Sequence, residues 1–366
     1  MYKKRIQYVQ NYLKQEKIDF AFIQGKANLF YLTGFRCEPH ERLVSLIVAP
    51  TAEPVLVAPH MERSLILAAG WQGDIIGYSD TDNPWEFITT YLHNNKVGTE
   101  KMAIEPSLLS YERSQALLRL GENTLLQNIE ETLLHSRLIK SQEEKAILQE
   151  AAKRADFGVE VGVSAIKAGR TEIEIIAMIE FELKKKGVTE MSFNTLVLTG
   201  ANSANPHGKP GMNEVKPGDF VLFDLGVVYE GYCSDITRTV AFDHVSDKQQ
   251  EIYATVLKAQ LQAIESSVIG ESLGQIDEAA RSVITDAGYG DYFPHRIGHG
   301  LGTEVHEWPS LNATNTMQLQ EGMVYTIEPG IYVPHVGGVR IEDDIFVEKD
   351  GPKCLTNYPK ELQIIK

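Results

Sequence analysis

The first 130 residues alternate between a helical pattern and short apolar runs. Ile6, Val9 and Leu13 recur at the spacing of one face of a helix. The runs that follow are too short for buried helices and are typical of strands. They cover residues 20–23, 43–48 and 54–57. This alternation predicts an α/β domain over residues 1–130.

Longer helical segments follow, and local start and stop signals mark their ends. Ser141 to Glu144 and Thr171 to Glu174 both have the form of a capping box, in which two side chains satisfy free amides at a helix start. Gly169 and Gly187 are the corresponding stops. Further helices are expected from near Ser246 towards Gly270, and then up to about Ala287. We therefore predict a linker at 131–140 and a second domain at 141–366.

Two segments within the second domain resemble each other. In each, an apolar strand follows a turn glycine, and an acid lies six residues after that glycine: Asp224 after Gly218, and Glu328 after Gly322. In each, a second acid arrives as the chain returns. The repetition indicates two similar hairpins that each supply a pair of carboxylates, although two ordinary turn-and-strand segments could also match by chance.

The first hairpin brings Asp224 near Asp235 in either of two registers. If the turn centres on residues 229 and 230, the two acids face each other; one residue later, Asp224 faces Thr237 and Asp235 is its diagonal neighbour. Either register leaves the carboxylates roughly 5 to 8 Å apart. Two anions at this distance share a proton or bind a cation unless both point into solvent.

The second hairpin is expected to carry Glu328 at the end of its first strand and Arg340 and Glu342 on its returning strand. Side chains alternate with a period of two along a strand, so Arg340 and Glu342 should share one face. A half-exposed strand would show the same pattern. Four acids on two matching hairpins are nevertheless more specific than any one of them.

Residues 294–309 carry three histidines in a glycine-rich run. Glycines at alternate positions argue against a helix, so His295 and His299 are not a helical zinc motif. The spacing of the glycines also differs from that of a dinucleotide-binding loop. The run favours close approach of the backbone and of the imidazoles, including His306, to a bound group.

Composition excludes several classes of function. A formal charge of −15 disfavours binding to nucleic acid or to an anionic membrane. We see no apolar run long enough to span a membrane and no signal-peptide pattern, so a cytoplasmic location is expected. Three scattered cysteines fit reduced thiols. A serine nucleophile elbow and a phosphate loop are both missing from the sequence.

The local runs F-D-L-G, S-D-I-T-R-T, G-H-G-L-G-T-E-V-H-E-W-P, I-E-P-G-I-Y and V-R-I-E-D resemble the creatinase/aminopeptidase P/prolidase group of pita-bread metallopeptidases. The resemblance is strong over roughly residues 140–366. It implies an α/β (α+β) fold class, with a small N-terminal α/β creatinase-like domain and a C-terminal pita-bread metallopeptidase domain.

The resemblance also implies a site with two divalent metal ions. Its ligands would be Asp224, Asp235, His299, Glu328 and Glu342. Asp224 and Glu342 would help to bind both ions, Asp235 one and His299 the other, with Glu328 shared or close to both. Four carboxylates and one imidazole favour Mn²⁺, with Co²⁺ or Zn²⁺ as alternatives. A water molecule bridging the ions would be the nucleophile.

Further residues acquire roles from the resemblance or from their place beside the metal histidine. The expected catalytic residues are His207, His306, Glu328 and Arg340, and His295, Arg296 and Tyr332 are expected to contact substrate, with Arg296 a candidate for its carboxylate. An early charged loop resembles the loop of bacterial prolidases that closes over the site from a partner subunit, which implies a homodimer, although it could simply be solvated. Its residues are Glu38, His40, Glu41 and Arg42.

The expected activity is hydrolysis of Xaa-Pro dipeptides, small peptides whose prolyl bond lacks an amide hydrogen and so needs a dedicated pocket. The main alternative is an Xaa-Pro aminopeptidase acting on longer peptides. A non-catalytic pita-bread binding module would be expected to lack ligands, and all five are present. A creatinase-like C–N hydrolase is disfavoured because such enzymes work without this metal set.

Overall fold

The computed structural model describes residues 2–366. The chain divides into two compact units after Arg137, here called the first and the second unit. Helix α6, Glu130–Leu138, occupies most of the interval for which we predicted a linker. No helix within residues 2–366 is long and apolar enough to cross a membrane.

The first unit contains a six-stranded mixed sheet and six helices in its described part. Its helices are α1 Tyr2–Glu16, α2 Lys26–Thr33, α3 Arg63–Ala68, α4 Pro84–Asn94, α5 Tyr111–Leu118 and α6. Its strands are β1 Phe20–Ile23, β2 Ser45–Val48, β3 Val55–Pro59, β4 Asp74–Tyr78, β5 Lys101–Ile104 and β6 Leu125–Asn128. They lie in the order β4-β3-β2-β1-β5-β6. The helix and the three strands expected here are all present.

Both faces of this sheet are buried, because side chains alternate across each strand. On β1, Ala21 and Ile23 join one core cluster, which also contains Val9 and Leu13 of α1. Phe20 and Phe22 point to the opposite cluster, which contains residues of α4 and α5. This arrangement explains why β1, β2 and β3 read as nearly continuous apolar runs.

The second unit combines four helices with several small sheets. Its helices are α7 Gln142–Ser164, α8 Glu172–Lys185, α9 Asp247–Glu265 and α10 Leu273–Asp286. Its strands are β7 Glu190–Met191, β8 Leu196–Thr199, β9 Phe220–Leu225, β10 Val227–Tyr229, β11 Tyr232–Cys233, β12 Ile236–Phe242, β13 Gly298–Gly300, β14 Glu307–Leu311, β15 Val324–Ile327, β16 Gly330–Val333, β17 Gly337–Arg340, β18 Asp343–Glu348, β19 Gly351–Cys354 and β20 Ile364–Ile365.

The helix boundaries follow the predicted caps. Ser141 accepts a hydrogen bond from the amide of Glu144, and Thr171 accepts one from Glu174, which completes the two capping boxes. Helix α7 ends at Ser164, five residues before Gly169, because the chain makes a further turn before it reaches that positive-φ glycine. Local hydrogen bonds therefore determine where these helices begin.

Two sheets of the second unit supply the acids of the predicted site. Strands β8, β9, β12 and β20 form one sheet in the order β20-β12-β9-β8, against which α7 and α8 pack. The other has the order β14-β13-β15-β18-β19 and shares a core with α9 and α10. A separate pair, β16 and β17, lies between β15 and β18 in sequence.

Candidate metal centre

The first pair of acids lies on the hairpin formed by β9 and β12. Asp224 pairs with Thr237, so the second of the two expected registers is the observed one. Asp235 comes directly before β12, and its amide donates to Asp344 at 3.0 Å. Backbone pairing therefore places Asp224, and the bond to Asp344 holds the backbone of Asp235.

The second pair of acids, Glu328 and Glu342, does not lie on the hairpin that we predicted, because the returning strand is not continuous. Strand β17 ends at Arg340, and β18 begins at Asp343, so Glu342 lies in the break between them. The prediction of one strand through Arg340 and Glu342 was wrong, because the chain passes there from the sheet with β16 to the sheet with β15. The two side chains nevertheless meet at the hydroxyl of Thr237. The amide of Glu342 instead donates to the carbonyl of Thr237 at 3.0 Å.

His299 lies on β13, next to β15. A Cβ on the preceding Gly298 would lie 1.9 Å from the carbonyl oxygen of Thr326, so this close approach requires glycine. Nδ1 of His299 is 3.2 Å from the carbonyl oxygen of Gly300, which can only accept, so Nδ1 carries the hydrogen. The lone pair of Nε2 is left for another partner.

The unprotonated Nε2 of His299 faces two of the acids. It lies 3.4 Å from Oε1 of Glu328 and 3.8 Å from Oδ2 of Asp235. Ligand atoms of Asp235, His299 and Glu342 all lie within 4.8 Å of one another, and all three residues are buried. An imidazole oriented through one nitrogen with the other directed at carboxylates is the usual arrangement of a metal-binding histidine.

The electrostatics of this cluster favour a bound cation. Burial, followed by repulsion from Glu342 and Asp224, raises the pKa of Asp235. Burial also raises the pKa of Glu342, to which Glu328 and Asp224 add. Burial lowers the pKa of His299 to about 3, so the imidazole is neutral and does not balance the acids.

Two buried carboxylate oxygens without hydrogen-bond partners test whether the cluster is suited to bind a metal ion. Oδ1 of Asp224 and Oδ1 of Asp235 are buried, and neither has a hydrogen-bond partner among the described residues. Buried polar atoms without a partner are costly, and metal coordination is one way to satisfy them. Four carboxylates with one neutral imidazole suit a hard or borderline dication, so the residues present fit the predicted metal group.

Thr237 and Arg340 hold the acids in place, a role that the sequence analysis did not identify for Thr237. The hydroxyl of Thr237 donates to Oε2 of Glu342 at 2.6 Å and accepts from Nε of Arg340 at 3.0 Å. Arg340 also donates to Asp224 at 2.5 Å. This role of Thr237 could have been inferred from the second hairpin register, which places Thr237 opposite Asp224.

A buried ion pair holds the chain on either side of Glu342. Arg238 lies 2.7 Å from Asp343 and also donates to the carbonyl oxygen of Glu342. Lys360 and Gln260 add further bonds to Asp343, both at 2.6 Å. These contacts fix the break between β17 and β18, and the sequence analysis did not identify them.

A chain of hydrogen bonds extends from Arg340 to His295. Arg340 donates to the hydroxyl of Tyr332 at 2.8 Å, and that hydroxyl lies 2.9 Å from Nε2 of His295. Nδ1 of His295 donates to the carbonyl of Arg296 at 2.9 Å. Burial lowers the pKa of His295 to about 4, so Tyr332 donates to an unprotonated Nε2. His295 and Tyr332 are thus connected to Asp224 through Arg340.

The remaining predicted residues of the second unit lie near the cluster but are more exposed. The ring of His306 is exposed and stands edge-on to that of His299, 4.2 Å between centroids. Partial burial and then the charge of Arg296 lower the pKa of His306, while Arg296 itself donates to Ser310. His207 is exposed on a loop, and its charge contributes to the lowered pKa of His295.

The early charged loop belongs to the first unit, where its side chains have local partners. Glu38 pairs with Lys26, and Arg42 binds Asp80 at 2.9 Å. His40 has a positive φ of 51°. These ion pairs lie at the surface of the first unit, where such pairs contribute little stability.

A two-unit α/β chain with this buried carboxylate and imidazole cluster is of the metallopeptidase class. The profile of the metallopeptidase family M24 matches residues 146–349, and that of the creatinase/prolidase N-terminal domain matches residues 5–139. The chain belongs to the metallopeptidase family M24. The predicted family, the hydrolase class and the fold class, with its creatinase-like and pita-bread domains, are confirmed.

Several relatives cover nearly the full chain. A Bacillus subtilis (strain 168) protein named "Putative dipeptidase YkvY" is 53% identical over 361 residues, which is 99% of this chain and 99% of the relative. A solved Xaa-Pro dipeptidase from Bacillus anthracis is 33% identical, with a TM-score of 0.92 and complete coverage of both chains. A solved X-Pro aminopeptidase from Thermotoga maritima MSB8 is 28% identical, with a TM-score of 0.87 and coverage of 95% of this chain and 98% of that one.

Proposed function

We propose that this chain hydrolyses Xaa-Pro dipeptides with two divalent metal ions, of which Mn²⁺ is the first choice. The observation that carries the proposal is the convergence of Asp235, His299 and Glu342 in a buried site of an M24 metallopeptidase. The proposed ligands are Asp224, Asp235, His299, Glu328 and Glu342. The dipeptide is favoured because the relative from Bacillus subtilis and the solved protein from Bacillus anthracis are named dipeptidases.

The metals and the protein would divide the chemistry between them. Two divalent ions bound there would polarise the scissile carbonyl and make a water molecule acidic enough to attack it near neutral pH. Glu328 would accept the proton of that water, since its carboxyl group lies beside His299. Arg340 would hold Asp224 and Tyr332 in place through its three hydrogen-bonding nitrogens.

Substrate binding is assigned to the more exposed residues around the acids. His207 and His306 would contact the peptide and assist proton transfer, and His295 and Tyr332 would line the pocket. Arg296 would bind the free carboxylate of a dipeptide, because its guanidinium is close enough to influence His306. This placement makes Arg296 a determinant of peptide length.

We also propose a homodimer in which the loop of Glu38, His40, Glu41 and Arg42 contacts the partner's substrate pocket. The proposal rests on the resemblance of this loop to that of bacterial prolidases. Light scattering of the purified protein should give twice the mass of one chain. A monomer at micromolar concentration would refute it.

An assay with two peptide lengths tests the substrate. Purified protein loaded with Mn²⁺ should hydrolyse Ala-Pro rapidly and an Xaa-Pro-Xaa tripeptide slowly. Rapid cleavage of the tripeptide with an inert dipeptide would instead favour the aminopeptidase, which is the second candidate because the Thermotoga maritima structure is also similar. The same panel with Co²⁺ and Zn²⁺ identifies the preferred metal.

Variants of one buried and one exposed acid test the metal ligands. Glu342→Ala should abolish turnover and reduce Mn²⁺ binding measured by calorimetry, because Glu342 is buried in the cluster. Glu321→Ala is the matched control, since Glu321 is exposed at the turn before β15. Full turnover of Glu342→Ala at saturating Mn²⁺ would remove this residue from the ligand set.

A further inference from the structure

One fully buried acid has no part in the site described so far. Glu172 is the first residue of α8, and its relative exposure is 0%. The start of this helix is already capped by Thr171 and Glu174. A buried carboxylate is costly unless it is well paired, so the partners of Glu172 should indicate its role.

The partners of Glu172 are neutral amides from two separate stretches of chain. Oε1 accepts from the amide of Thr199 at 2.8 Å and from Nδ2 of Asn202 at 2.9 Å. Oε2 accepts from the amide of Gly211 at 2.8 Å and from Nδ2 of Asn213 at 3.0 Å. One side chain thereby ties together both ends of the segment 199–213.

His207 lies in the middle of this tied segment. The turn around it is closed by a 2.8 Å bond from the amide of Gly208 to the carbonyl of Asn205. Nδ2 of Asn202 also reaches the carbonyl of Lys209 at 3.2 Å, so the same amide that binds Glu172 spans the turn. The position of His207 therefore depends on how the ends of the segment are held.

The other side of the segment lies against the hairpin of β16 and β17. Oγ of Ser203 accepts from the amide of Gly338 at 2.9 Å. A Cβ on Gly338 would be 2.0 Å from the carbonyl oxygen of Ser203, so the segment and β17 are in direct backbone contact. Since β17 ends at Arg340, the segment connects Glu172 to the strand that braces the metal centre.

We propose that Glu172 is a positioning residue that holds the loop of His207 against the site, through hydrogen bonds to both ends of segment 199–213. The role of His207 in turnover rests on the proposed function. The fixation of the loop by Glu172 does not, and the two parts are tested separately.

Hydrogen exchange tests the fixation without reference to activity. In Glu172→Gln, an NH2 group replaces one carboxylate oxygen and faces the hydrogen-bond donors that this oxygen accepted from. Backbone amides of 199–213 should therefore exchange at least about tenfold faster than in the wild type. Glu174→Gln is the matched control, because glutamine also completes a capping box and Glu174 is exposed. Asn213→Ala removes one donor and should give an intermediate increase even if Glu172→Gln folds poorly. Unchanged exchange in both Glu172→Gln and Asn213→Ala would overturn the proposal.

A double-mutant cycle tests whether Glu172 acts through His207. Glu172→Gln should reduce kcat/KM by about tenfold in the wild type and by less than about twofold in His207→Ala, with Mn²⁺ affinity unchanged in calorimetry. Equal losses in both backgrounds would overturn the positioning of His207. If the wild type does not cleave Xaa-Pro peptides, the proposed function fails, and the exchange result alone decides the role of Glu172.

Discussion

Replacing Glu328 by glutamine should stabilise the metal-free protein at neutral pH while it impairs the metal-loaded one. Glu328 is largely buried, with a side-chain exposure of 17%. Burial raises its pKa from the ordinary value of 4.5 to about 7; the charge of Arg340 opposes the shift, and that of Asp224 adds to it. Glutamine has nearly the same shape and cannot ionise.

The direction of the effect follows from proton binding. Because the folded state holds the proton of Glu328 more tightly than the unfolded state does, the free energy of unfolding falls as pH rises from the ordinary pKa through about 7. A difference of one pKa unit corresponds to about 1.4 kcal/mol, so the penalty at pH 7 is about 3 kcal/mol. It is small near the ordinary pKa of a glutamate.

Urea unfolding in the presence of a chelator measures this difference. Glu328→Gln should exceed the wild type by about 3 kcal/mol at neutral pH, and the difference should shrink towards about pH 5. The control Glu321→Gln, at an exposed position, should match the wild type at both pH values. With saturating Mn²⁺ the order should reverse, because an amide is a weaker ligand than a carboxylate. A chelated variant that is less stable than the wild type at neutral pH would refute the reasoning, as would a difference that does not change with pH.

Two further substitutions test contacts around the centre. Lys140→Met should lower the free energy of unfolding by about 3 kcal/mol, because Lys140 and Glu307 are 3.1 Å apart with each side chain 2% exposed, and the variant removes the cation of this buried pair. Glu307 keeps its hydrogen bonds from Thr303 and Glu304. A loss under about 1 kcal/mol in urea unfolding would contradict this. Arg340→Lys should reduce kcat/KM with Mn²⁺ by at least about tenfold, because a single ammonium cannot replace the separate donors to Asp224 and Tyr332. Wild-type kinetics in that variant would show that the bracing is dispensable.

Features set by neighbouring residues could be predicted from the sequence. The capping boxes at Ser141 and Thr171 involve side chains only three residues apart, so the starts of α7 and α8 could be read directly. The strand at residues 20–23 was equally clear from its apolar run. The hairpin of Asp224 could be predicted up to its register, because either turn satisfies the same alternation of side chains.

Features set by distant contacts could not be predicted. The break between β17 and β18 exists because the amide of Glu342 pairs with Thr237, which is far away in the chain. The pattern of alternating side chains continues through the break and gives no sign of it. Glu172 was overlooked for the same reason, since its partners at 199–213 become neighbours only in the folded chain.

The charge of the site connects its stability to its chemistry. Burial leaves His299 neutral, and the hydrogen bond of its Nδ1 to a backbone carbonyl directs Nε2 towards Glu328 and Asp235. Arg340 is therefore the cation that the chain places in direct contact with an acid of the cluster, through Asp224. One guanidinium does not balance four carboxylates, so the folded chain raises the pKa values of Asp235, Glu328 and Glu342, and a divalent ion would displace the protons that these acids hold. Binding of the ion would remove the repulsion between the acids that weakens the metal-free fold. A substitution that relieves this repulsion should therefore also reduce the affinity for metal.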